Sequence, residues 1–146
     1  MKYFGLSIVF LSLLFGSLSS CSEKKQDHFE AYSQQSCQDF QALVASYSTN
    51  MLVPLRPDFL PENQQAAFCT CLDKLLRKKV KPKYNAAQLE GMQNFQQERL
   101  ALLQKVLKSS GKDLMNCLEK QDITEIRIIR KFLESLKETK EETSKR

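Results

Sequence analysis

The chain has 146 residues and a formal charge of +5, from 22 Lys and Arg against 17 Asp and Glu, with 4 Gly, 4 Pro and no Trp. That length suits one small domain behind a targeting segment, and so mild a basic balance makes no case for nucleic acid as a partner. Gln, Leu, Lys and Glu are common and strand formers are sparse beyond the first residues, so an all-α fold is expected.

Met1 and Lys2 lead into an apolar run, Tyr3 to Phe15, which is followed by Leu18-Ser19-Ser20-Cys21. A basic start, an apolar middle and small residues before Cys21 are the layout of a secretory signal. A transmembrane anchor needs about 20 apolar residues, and this run is shorter and broken by Ser7, Ser12 and Gly16. The closing four residues resemble the lipobox of bacterial lipoproteins. The resemblance implies that residues 1–20 are removed, that the Cys21 thiol takes a diacylglyceryl group, and that the new amine is acylated. Several acyl chains anchor a protein stably where one binds only marginally. It also implies residence at the cell membrane. Ser22 in place of Asp after the lipid-bearing cysteine points to the outer membrane, facing the periplasm, in a Gram-negative source.

Residues 21–26, with Lys24 and Lys25, form a polar tether, and residues 27–137 a helical domain. Asp27 with Glu30 has capping-box spacing, and a first helix is expected from His28 to Asn50, burying Phe29, Tyr32, Phe40, Val44 and Tyr47. Pro54, Pro57 and Pro61 forbid a continuous helix. Pro61 and Glu62 suit the opening of a second helix, which runs to about Val80 with Phe68, Leu72, Leu75, Leu76 and Val80 on one stripe. Asn85 with Gln88 repeats the capping signature. A third helix is expected from Ala86 to Ser109, with Leu89, Met92, Phe95, Leu102, Leu103, Val106 and Leu107 inward, broken at Gly111. Ser110 and Asp113 suit a short fourth helix through Leu114, Cys117 and Leu118. Asp122 and Glu125 suit the start of a fifth, with Ile126, Ile129, Leu133 and Leu136 inward. Residues 138–146 form a charged tail expected to be disordered. The fold class expected is a small array of four to five helices, with core packing the reading of every apolar stripe.

Four cysteines remain beyond Cys21: Cys37, Cys69, Cys71 and Cys117. In an exported chain an even number reads as disulfides. Cys69 and Cys71 lie about 200° apart on one helix, so they cannot readily bond each other. Two pairings are left: Cys37–Cys71 with Cys69–Cys117, or Cys37–Cys69 with Cys71–Cys117. Both clamp the second helix on opposite flanks. Aligning the first two helices antiparallel with Asn50 level with Pro61 favours Cys37–Cys71. A metal site is the weaker reading, because His28 is the sole histidine and no second ligand pair has conventional spacing. A redox-active pair is weaker still, since catalytic thiols sit at helix N-termini and these lie further in. No cofactor is expected.

Lys74, Arg77, Lys78, Lys79, Lys81 and Lys83 place six cations within ten residues. One reading is contact with an anionic surface, a lipid head group or an acidic partner. The other, preferred from the sequence, is that cations gather at a helix C-terminus and stay solvated. His28 stands alone in a capping turn. No nucleophile–base order or phosphate loop occurs, so no catalytic residue is assigned. The reading that results is a lipid-anchored, non-enzymatic interaction module that binds another envelope protein, as an accessory to secretion or envelope assembly. The alternative is a metal- or thiol-handling envelope protein using Cys69 and Cys71. Secretion pilotins are also small helical lipoproteins with disulfides, a likeness of architecture alone.

Overall fold

A computed structural model describes residues 27–51 and 54–138. The signal segment, Cys21, the tether from 22 to 26 and the tail beyond Glu138 lie outside the described residues. Within them the chain is helical, with no strand: α1 (His28–Thr49), α2 (Glu62–Lys79), α3 (Ala86–Asn94), α4 (Gln96–Leu118) and α5 (Ile126–Glu138). The all-α expectation of four to five helices and two disulfides holds. No described helix is long and apolar enough to cross a membrane.

Helix starts follow local chemistry. The Asp27 carboxylate accepts a hydrogen bond from Phe29 N at 3.1 Å and caps α1, which satisfies one of the orphan N–H groups of the first turn. Glu30 does not complete a capping box and stays exposed. At α3 the box is complete: Asn85 Oδ1 accepts from Gln88 N and Gln88 Oε1 accepts from Asn85 N, each at 2.9 Å. Pro61 stands just before α2, where its missing N–H costs nothing.

The core joins all five helices. Phe40 of α1 packs against Phe68 of α2 and Phe132 of α5, with ring centroids 5.0 and 5.7 Å apart. Leu72, Leu76, Leu103, Leu107, Leu114, Leu118 and Ile129 are fully buried around them. At about 1.5–3 kcal/mol for each such side chain, burial is the main driving force.

Two expectations are corrected. The helix expected from Ala86 to Ser109 breaks at Phe95, which has φ −113° and ψ 91° and is 61% exposed rather than inward. The cause lies one turn on. Arg99 Nη1 donates to Met92 O and Gln93 O, at 3.1 and 2.9 Å, and satisfies the last carbonyls of α3. The break expected at Gly111 falls one residue earlier: Ser110 is non-helical (φ −134°, ψ 16°), and α4 kinks there before running on to Leu118. Gly111 brings α4 close to α5: a Cβ placed there would lie 3.6 Å from Leu133.

Candidate functional site

α1 and α2 pack antiparallel, and their register is visible in three contacts. Cys37 bonds Cys69, Ser33 Oγ donates to Asp73 Oδ1 at 2.8 Å, and the Arg77 guanidinium lies 4.9 Å above the Phe29 ring. Each step of four residues back along α1 is matched by four forward along α2. By that spacing Glu62 falls level with Val44, not with Asn50.

That offset corrects the disulfide pairing. The bonds are Cys37–Cys69 and Cys71–Cys117, with Cα–Cα distances of 5.5 and 5.8 Å, not Cys37–Cys71 with Cys69–Cys117. Level helix ends would have favoured Cys71 for Cys37; the last turn and a half of α1 overhangs α2 instead. The expectation that Cys69 and Cys71 reach different partners on opposite flanks holds. Gln41 Nε2 lies 3.6 Å from Cys37 Sγ and 3.8 Å from Cys69 Sγ, a weak donor to both. The loops span 32 and 46 residues, for which the chain-entropy model gives about 4 kcal/mol each.

The same register carries the basic run to the entrance of α1. Arg77 Nε donates to Asp73 Oδ2 at 2.7 Å, which raises the guanidinium pKa further above its ordinary value. Lys81 Nζ lies 4.0 Å from Asp27 Oδ2 and 5.4 Å from the centre of the Phe29 ring, so Phe29, itself 1% exposed, lies under two cations. Lys74, Lys78 and Lys83 are exposed and Lys79 is half-buried; none forms an ion pair among the described residues. Beside them an open cleft of about 640 Å³ is lined by Asp27, His28, Phe29, Lys81, Tyr84, Ala86 and Leu89. The His28 carbonyl accepts from Gln93 Nε2 at 2.9 Å.

The buried Arg99–Asp39 pair escapes the sequence reading, and so does the lack of a partner for the Tyr32 hydroxyl, though its burial is expected. Arg99, 7% exposed, meets Asp39, 8% exposed, through Nε at 2.5 Å and Nη2 at 3.4 Å, with Gln35 Oε1 3.3 Å from Nη1. Only knowing that α3 ends at Asn94 would have flagged an arginine one turn later. Tyr32 is fully buried, and burial pushes its phenol pKa up to about 12, tempered by the Ser36 hydroxyl beside it. The two hydroxyls are close but do not reach hydrogen-bonding geometry, and both lack a partner.

No family profile, curated protein or solved structure matches the chain.

Proposed function

We propose that this chain is an exported lipoprotein, held to the cell envelope by acyl groups on Cys21, whose helical domain is a non-catalytic module that binds another envelope protein. The observation that carries the reading is the disulfide clamp: α2 is bonded to α1 on one flank and to α4 on the other. Such bonds persist in oxidising compartments, and that supports the export implied by Leu18-Ser19-Ser20-Cys21. A clamped bundle with a mainly apolar cleft at one end, rimmed by Asp27 and Lys81, suits an accessory to secretion or envelope assembly. Ser22, where an Asp would favour retention at the inner membrane, supports an outer-membrane location facing the periplasm in a Gram-negative cell. The alternative, metal or thiol handling by Cys69 and Cys71, requires both bonds to be reduced first, since each sulfur is bonded to a different helix.

Intact mass of protein extracted from membranes tests the anchor, and thiol counting without reductant tests the clamp. An acylated Cys21, no residues 1–20 and no alkylatable thiol support the proposal. A chain that keeps residues 1–20, or four free thiols, overturns it. Cross-linking in intact cells, followed by recovery from membranes, identifies the partner. Recovery of a single envelope protein that is lost when the domain is unfolded by reduction is the expected result.

A further inference from the structure

Of the six cations between Lys74 and Lys83, the helix dipole explains only part. Arg77, Lys78 and Lys79 occupy the last turn of α2, where cations are favoured, but that effect fades within one turn. Lys74 precedes that turn, and Lys81 and Lys83 follow the last helical residue. The pairing of α1 with α2 sets this cluster beside Asp27, 4.0 Å from Lys81. Asp27 is also the point at which the chain enters from Cys21. Six residues of chain span at most about 20 Å, whereas α1, with 22 residues, is about 33 Å long. An acyl anchor on Cys21 therefore keeps this end of the bundle near head groups. The segments at the far end, where Gln64 binds Thr124, instead mix exposed Glu62 and Asp122 with exposed Lys120 and Arg127.

We propose that the end of the domain where α1 begins and α2 finishes is a docking face for anionic lipid head groups, with Lys78, Lys79 and Lys83 as its contacts. The inference rests on the lipid-anchor reading. Asp27 and Asp73 on this face are engaged by Lys81 and Arg77, and exposed Glu30 in the first turn of α1 is the remaining carboxylate near Arg77, so Lys78, Lys79 and Lys83 leave the face net positive. Each lysine near an anionic surface contributes roughly fivefold to partitioning, with steep dependence on salt. The docked domain stands with the end where α2 and α5 begin facing away from the bilayer, so the lipid orients the module as well as retaining it.

The test is lysine acetylation of the membrane-extracted protein, reconstituted into phosphatidylcholine vesicles with or without one-third phosphatidylglycerol. Peptide mass spectrometry reads each site, and intact mass reads Cys21 separately. We expect several-fold protection of Lys78, Lys79 and Lys83 on the anionic vesicles only, lost in high salt, and none at Lys120 beyond the end of α4. Acylated Cys21 with no such protection, or with equal protection at Lys120, overturns the docking face and leaves the anchor standing. An unmodified Cys21 overturns the anchor. The face is then read from sedimentation of that chain with the same anionic vesicles. Binding weakened tenfold or more by the triple change K78Q/K79Q/K83Q supports it, and absence of binding overturns it.

Discussion

Arg99 at the start of α4 is ion-paired with Asp39 in the middle of α1, and both side chains are about nine-tenths buried. The same guanidinium closes the C-terminal end of α3 through the carbonyls of Met92 and Gln93. One side chain thus joins three helices and permits the chain to leave the helix at Phe95.

Replacing Arg99 by Met strands a buried carboxylate and two carbonyls. Removing one partner of a buried pair costs about 3–5 kcal/mol, and that loss is expected in urea unfolding of Arg99→Met. Asp39→Asn should cost less, about 1.5–3 kcal/mol, because Arg99 keeps its carbonyl acceptors. An Arg99 loss no larger than the Asp39 loss would mean that the α3 carbonyls find water instead.

The break at Phe95 also shows where sequence reading stops. Leu89, Met92 and Phe95 keep helical spacing into Leu102 and Leu103, so the local pattern continues through the break. What accompanies the break is Arg99, which caps the last carbonyls of α3 while Asp39, 60 residues away in sequence, holds its guanidinium. Helix starts are legible because their causes are local: Asp27, Pro61, and Asn85 with Gln88 each act within a turn. The end of α2 is legible on the same ground, but the start of α5 is not: it begins at Ile126 rather than on an Asp122 cap, and its entry is held by Gln64, which accepts from Thr124 N at 3.0 Å. The cysteine pairing is not, because it depends on how far α1 slides along α2. That slide is held by Ser33 with Asp73 and Phe29 with Arg77, and nothing in either segment says that these residues meet. The basic run is plain in the sequence, but its place beside the entrance of α1 exists only once the two helices pair.

Non-reducing peptide mapping of protein purified without reductant should yield Cys37 linked to Cys69 and Cys71 linked to Cys117. The paired change Cys71→Ser with Cys117→Ser should lower stability by up to about 4 kcal/mol, the chain-entropy value for a 46-residue loop. A Cys37–Cys71 peptide would contradict the register drawn from Ser33 and Asp73.

Tyr32 gives the fold an alkaline limit. Its folded pKa of about 12 lies above the ordinary 10.0, so folding favours the neutral phenol. The stability this represents is complete below pH 10 and is lost as pH rises from 10 through 12, by about 2–3 kcal/mol in all. Tyr32→Phe removes a buried hydroxyl that has no partner, so stability at pH 7 should be unchanged or higher. Its urea midpoint should also fall less than the wild-type midpoint between pH 9 and pH 11. Parallel declines in the two proteins would show that Tyr32 ionises without unfolding cost.

Gly91 lies inside α3, a helix of nine residues too short to persist without its packing. A Cβ added there meets nothing within 4 Å, and glycine in a helix interior costs roughly 0.5–1 kcal/mol relative to alanine. Gly91→Ala should therefore raise stability by about that amount in urea unfolding. Gly111→Ala is the useful contrast. Its new methyl would touch the Leu133 side chain at ordinary van der Waals distance, from 3.6 Å, next to the Ser110 kink. A gain there as well would show that α4 and α5 accept the extra carbon without shifting. A gain at Gly91 with a loss at Gly111 would show that the kink needs the glycine after it. A loss at Gly91 would contradict the open space seen beside α3 and require that helix to sit closer to its neighbours.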